Sequence, residues 1–144
     1  RLTHDVWIGD VGQNLYEEID YAAAGQSGIN WGWNKREGFH AYNGGAEPAG
    51  AQDPILERSH GAGDCAIIGG YVYRGRAIAS FDGAYVFGDE CTGELRAVVQ
   101  SAGKVTQRRD LHLNVDQLTT FGEGPNGGIF AASRWGKLYL LVPR

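Results

Sequence analysis

Short apolar runs alternate with glycine-rich polar stretches along the whole chain. The apolar runs lie at 6–8, 67–73, 84–87, 95–99 and 138–142. Runs of that length, bounded by Gly, Asn, Asp and Pro, predict strands. Nowhere do apolar residues convincingly recur at i, i+3, i+4 and i+7, which is the mark of an amphipathic helix. The pattern therefore predicts an all-β fold with no helix beyond short turns.

Three segments share one plan: an apolar strand, a turn of small residues and a second strand. The first is Val6-Trp7-Ile8-Gly9-Asp10, leading to Glu18-Ile19-Asp20-Tyr21. The second is Tyr85-Val86-Phe87-Gly88-Asp89, leading to Glu94-Leu95-Arg96-Ala97. The third is Gly128-Ile129-Phe130-Ala131-Ala132, leading to Lys137-Leu138-Tyr139-Leu140. The interval from Gly88 to Ala131 matches the ~40–50 residues of a four-stranded propeller blade. The interval from Gly9 to Gly88 is a little under two blades. It predicts one blade plus an insertion, with the Gly- and Ala-rich stretch 43–52 as the inserted loop.

One whole blade is predicted at 67–73, 84–88, 94–100 and 106–113. A partial blade follows at 118–122, 128–132 and 137–142. The first segment starts at what would be a second strand. The pattern thus predicts about three four-stranded antiparallel blades of a β-propeller, incomplete at both ends. A plain β-meander is the simpler alternative. Open blade edges invite other strands. Residues 1–144 are accordingly expected to be a portion of a single larger propeller domain. The expected partners are the remainder of the parent propeller or other copies of the chain.

Composition narrows the function classes. The 144 residues suit one domain. The 23 glycines are about twice the usual ~7% share, which fits a fold of many tight turns. Seven Tyr, five Phe and four Trp are enough large side chains for a core. Net charge is −4, and the two basic doublets, Lys35-Arg36 and Arg108-Arg109, run straight into Glu37 and Asp110. Nothing in this makes a nucleic-acid footprint. No apolar run is long enough for a membrane-spanning helix. No signal peptide is evident, and Arg1-Leu2-Thr3 reads as the interior of a longer polypeptide. Cys65 and Cys91 are too few for a zinc site. The four histidines are dispersed and are expected in turns or at the surface.

Five stretches in order carry a resemblance: GDVGQNLYEEID, GINWGWNKREG, HGAGDCAIIGGYVYRG, GAYVFGDECTGELR and TTFGEGPNGGIF. Over nearly all of the chain they resemble the C-terminal part of the glucose/sorbosone dehydrogenase family. That family comprises soluble six-bladed β-propellers, several of which oxidise sugars with pyrroloquinoline quinone. Hedgehog-interacting proteins, whose propellers are not known for catalysis, are also similar. The resemblance implies a disulfide between Cys65 and Cys91, and with it an exported protein, secreted or periplasmic. The alternative is two buried thiols.

The resemblance also implies a metal site. The positions resembling Gly12-Gln13 lend carbonyls to a calcium ion that holds the cofactor. Those resembling Glu17-Glu18 and the Asn30-Trp31-Gly32 loop lie near further calcium sites. Calcium takes six to eight oxygens at flexible geometry, which a Gly-rich turn and a carboxylate can supply. Gly12 and Asn14 are equally turn formers, so a purely structural hairpin stays open. Glu17 and Glu18 are neighbours on a strand and point to opposite faces, which excludes a simple carboxylate pair. The aromatic residues of 29–33 are expected to pack between blades, with a sugar-stacking platform as the alternative.

No catalytic residue is assigned to this chain. The family's catalytic His and its Arg-Asn motif belong to an earlier blade. Asp89-Glu90-Cys91 stands where a Lys is expected, and Val115-Asp116-Gln117 stands near an expected Arg pair. Quinone carboxylates call for cationic partners. Pyrroloquinoline quinone is therefore expected only in an intact parent, if at all. The leading expectation is a C-terminal portion of a sugar dehydrogenase-like propeller whose parent oxidises an aldose. The alternatives are a non-catalytic extracellular propeller that binds protein or glycan, and a structural, self-assembling fragment.

Overall fold

A computed structural model describes residues 2–143. Twelve strands form three successive antiparallel sheets and one small hairpin. The first sheet has the order β1-β2-β5, from Val6–Asp10, Tyr16–Ala22 and Leu56–Ser59. Between β2 and β5 the chain makes an excursion containing the hairpin β3–β4, Arg36–Glu37 and His40–Ala41. The second sheet runs β6-β7-β8-β9, from Ile67–Val72, Tyr85–Asp89, Glu94–Ser101 and Lys104–Asn114. The third runs β10-β11-β12, from Leu118–Glu123, Ile129–Ser133 and Leu138–Leu140. Apart from strands there are only two short 3₁₀ turns among the described residues, at His60–Ala62 and Ala79–Phe81.

The central sheet is buried on both faces, which explains its near-continuous apolar strands. Alternation sorts them: Tyr85 and Phe87 go to one side, Ala84 and Val86 to the other. Tyr85, Phe87 and Val98 meet Ile19, Leu56 and Ile67 in one core. Val86, Leu95 and Ala97 meet Leu118, Phe121, Ile129 and Ala131 in the second. Trp7 stacks on Tyr85 with ring centroids 4.5 Å apart. Sheets packed face to face in chain order, each meandering outward, are blades of a β-propeller.

Close approach explains two glycines. A Cβ on Gly9 would lie 2.9 Å from the backbone nitrogen of Gly69, so β1 and β6 meet backbone to backbone. A Cβ on Gly70 would lie 2.2 Å from the Val86 carbonyl oxygen. It stands where the β6–β7 register shifts between Ile68 and Tyr71.

Cys65 and Cys91 are joined, with Cα atoms 5.7 Å apart. Asp89 lies beneath them, almost fully buried. Its Oδ2 accepts from the N–H groups of Cys65 and Ala66, both at 2.9 Å. Its Oδ1 accepts from those of Cys91 and Thr92, at 2.9 and 3.0 Å. Asp89 thus stitches the start of β6 to the β7–β8 turn. The inserted region proves longer than the 43–52 loop, since the whole path from β2 to β5 departs from the blade. One expectation about the aromatics is corrected. Trp33 does not pack between blades; it is 61% exposed and stacks on Tyr42 within the excursion.

Candidate functional site

The site residues gather around the β1–β2 hairpin and the excursion folded over it. In the hairpin, Asp10 pairs with Glu18 and Ile8 with Asp20. Cross-strand partners share a face. Asp10, Glu18 and Asp20 therefore stand on one side, while Trp7, Ile19 and Tyr21 turn toward the central sheet. Glu17 also turns that way. It is fully buried, and its Oε2 accepts from the Ile67 N–H at 2.7 Å. Its Oε1 meets Nε2 of His60, whose Nδ1 is 2.8 Å from the Asn14 carbonyl oxygen. Both ring nitrogens face oxygens, which favours the doubly protonated imidazolium. Burial alone would lower the His60 pKa, but Glu17, the Asn14 carbonyl and Glu37 outweigh it and leave it raised.

The turn between the strands is held from the excursion. Glu37 is nearly buried, and its Oε1 collects the N–H groups of Asn14, Leu15 and Tyr16. Burial pushes its carboxyl up, yet those N–H bonds and the charge of His60 bring it below its ordinary value. Gly12 is required by space: a Cβ there would lie 1.7 Å from the Tyr16 carbonyl oxygen. Gly12→Ala should cost about 1–3 kcal/mol through overpacking. Urea titration checks this, and a loss under ~0.5 kcal/mol would mean that the turn relaxes freely.

On the other face, Glu18 accepts from the Gly38 N–H. Desolvation raises its pKa to about 7. Asp20 is fully buried, and neither of its oxygens has a hydrogen-bond partner. Its pKa is raised to about 8, by desolvation first and then by Glu18 and Asp10. One carboxylate oxygen from each of Asp10, Glu18 and Asp20 lies within 4.8 Å of the others.

The residues named from the sequence do not all converge. Glu17 and Glu18 diverge, as alternation requires, and Glu17 is engaged by His60 and Ile67. Gln13 is exposed and Trp31 half-buried. The Asn30 carbonyl accepts from the Gln52 N–H at 2.8 Å, and its side chain accepts from the Gly32 N–H at 2.9 Å. Arg74 pairs with Asp82 at 3.1 Å and Arg76 is exposed. Sequence reasoning missed Asp10, Asp20, Glu37 and His60 as site residues. Asp20 was within reach, because two positions from Glu18 on a strand is the same face. Glu37 and His60 have no local signal.

Comparison with solved structures places this arrangement. A glucose dehydrogenase superimposes over 96% of the chain with a TM-score of 0.71 and 18% identity. This is the propeller fold of the sugar dehydrogenases. A second glucose dehydrogenase gives a TM-score of 0.69 at 19% identity, again over 96% of the chain. The PQQ-bound aldose sugar dehydrogenase of Streptomyces coelicolor gives 0.62 at 16% identity over 90%. The chain spans 34–41% of the length of these sugar dehydrogenases. In sequence it is 31% identical over 93 residues to the HIPL1 protein of Arabidopsis thaliana. It is 31% identical over 105 residues to the HIPL2 protein of the same plant. Those alignments take in 56% and 64% of the chain, but only 13% and 14% of the relatives. No family model matches.

The sugar-dehydrogenase fold raises the question of a quinone, and this chain's residues do not suit one. At the positions where cations are expected, Asp89 caps the disulfide turn and Val115 is core. Asp116 accepts from the Trp135 indole N–H at 3.1 Å. No helix among the described residues is long and apolar enough to cross a membrane.

Proposed function

We propose that this chain is a portion of an exported sugar dehydrogenase-like propeller whose intact parent oxidises an aldose with a quinone cofactor. The observation that carries the reading is the match of three consecutive blade-like sheets to glucose dehydrogenases over 96% of the chain. The disulfide supports export, since such bonds persist in oxidising compartments. In this reading the chain supplies wall and turn, and the base and the cationic quinone contacts come from elsewhere in the parent. A calcium ion at the carbonyls of Gly12 and Gln13, and further calcium near Glu17, Glu18 and Trp31, belong to the same reading of the intact parent. Glu17 is then a support, because its oxygens already serve His60 and Ile67. The test is dye reduction by the parent protein, loaded with calcium and pyrroloquinoline quinone and offered aldoses. Turnover supports the reading. A loaded parent that binds glycan or protein and turns nothing over would move it to the non-catalytic propeller, which the poor fit to a quinone favours.

The same reading names the partner. Leu138, Leu140 and Val142 are 68%, 48% and 63% exposed on or beside β12, and Val6 and Ile8 are 50% and 37% exposed on β1. Apolar strand faces of this kind attract cover. The expected cover is the remainder of the propeller or further copies of the chain, so the isolated chain should sediment as an assembly. A compact monomer at micromolar concentration that unfolds cooperatively would refute this.

A further inference from the structure

We infer that Arg58, Arg96 and Arg108 form a binding site for an oxyanion, the sulfate, phosphate or carboxylate of a small polar molecule. The site is a cleft between the outer strand of the first sheet and the outer two strands of the second. It does not use the acids of the β1–β2 hairpin, and it does not rest on the sugar-oxidation reading.

Strand alternation brings the three arginines to one place. Arg58 stands opposite Glu17, on the side of β5 that turns toward the central sheet. Arg96 and Val98 are two apart on β8, and Val98 stands opposite Arg108 of β9. Cross-strand partners and alternate residues share a face, so Arg96, Val98 and Arg108 look the same way. The cleft they line with Arg58 holds about 340 Å³, inside the ~300–1,000 Å³ range of small-ligand pockets. Leu56, Phe87 and Val98, almost fully buried, back it.

The charges are positioned before any ligand arrives. Asp64 is buried, and its Oδ2 accepts from Nε of Arg58 at 2.8 Å and from Nη2 at 2.6 Å. Its Oδ1 accepts from Nη1 of Arg96 at 3.0 Å. One buried carboxylate thus holds two guanidinium groups side by side. Glu94 takes a further N–H of Arg96. Arg108 is exposed, and its side chain has no ion pair or hydrogen bond among the described residues. Arg109 is no part of the site, because its guanidinium goes to the Ser80 carbonyl oxygen and Gln107. Asp110 is the one acid in the lining, and its Oδ1 accepts from the His112 N–H of its own strand at 2.8 Å. Its pKa is lowered, first by that bond and then, against burial, by the charges of His112, Arg96 and Arg58. The positive field therefore reaches across the cleft. Three guanidinium groups in one cleft repel one another, and an oxyanion relieves that repulsion. Arginine's planar fork meets phosphate and carboxylate oxygens two at a time. The cleft is larger than a bare ion, which leaves room for a body such as a sugar ring.

The test is calorimetric titration of the whole chain at low salt, in whatever assembly it purifies as. Inorganic sulfate, inorganic phosphate and glucuronate are the probes, and glucose is the uncharged control. Saturable binding of an anion, one per chain, is expected, and it should weaken as sodium chloride is added. Glucuronate binding tighter than both inorganic ions assigns the site to an anionic sugar. The reverse order assigns it to a free ion, and either order supports the site. Arg108→Ala, at an exposed position, should keep the fold and weaken binding by roughly tenfold or more. Arg108→Lys keeps the charge without the fork and should lose less. Arg96→Ala should abolish binding, but it also strips Asp64 of a partner, so the Arg108 variants decide if it fails to fold. Arg76→Ala, an exposed arginine outside the cleft, should bind as the wild type does. No saturable heat with any of the anions would overturn the inference. So would unchanged affinity in Arg108→Ala, glucose binding as tightly as the anions, or an equal loss in Arg76→Ala, which would mark a general charge effect. Sugar turnover is not read in this assay, so its outcome is independent of the sugar-oxidation reading.

Discussion

Removing the Cys65–Cys91 bond lowers stability by about 3–4 kcal/mol. The cysteines are 26 residues apart in sequence. In the chain-entropy account, a loop of that size restricts the unfolded chain by about 3–4 kcal/mol at 25 °C. The native state adds a second dependence. The bridge ties the start of β6 to the β7–β8 turn, where Asp89 gathers four backbone N–H groups. Loosening the turn exposes that buried carboxylate to water and puts those bonds at risk. Urea unfolding of a Cys65→Ser/Cys91→Ser double variant measures the effect. A loss below ~1 kcal/mol would mean that Asp89 alone holds the turn and that the bridge only decorates it. The wild-type chain under reductant should give the same midpoint as the variant.

His60→Ala costs about 3–5 kcal/mol, the range for breaking a buried pair and leaving one charge uncompensated. Glu17 is fully buried, and without His60 its Oε1 loses its partner. The Asn14 carbonyl loses its partner as well, so the hairpin turn and the β2–β6 junction weaken together. His60→Gln, which keeps a donor, should lose less. The pH dependence follows from the raised His60 pKa. The folded state binds the imidazole proton more tightly than the unfolded state does. The stabilisation is therefore full below the unfolded value of about 6.5 and fades as pH rises through the higher folded value. Stability measured from pH 5 to 9 should fall over that upper window in the wild type and lose this component in His60→Ala. A flat difference between the two proteins would show that the imidazole is neutral in the fold.

The blade at 67–113 was legible because each strand carries its own pattern: apolar residues on both faces, a Gly-Asp turn, then apolar alternation again. Strands β6 to β9 stand within a few residues of where the runs place them. The third sheet was legible for the same reason. The opposite facing of Glu17 and Glu18 needed only the two-residue period of a strand. The disulfide followed from resemblance to related chains, since two cysteines by themselves do not declare a bond.

The site was much less legible. The sequence by itself determined strands, blade order and which residues share a face, because those depend on near neighbours and on a fixed period. Only the tertiary structure decided what the polar residues do. Glu37 reaches back to the 14–16 turn, His60 reaches Glu17, and Trp33 lies on Tyr42 rather than between sheets. These contacts depend on how the excursion between β2 and β5 folds over the hairpin, and its Gly-rich stretch carries no period to read. Asp20 shows the division most clearly. The pattern puts it on the same face as Glu18, but only packing buries it without a hydrogen-bond partner, and that desolvation raises its pKa to about 8.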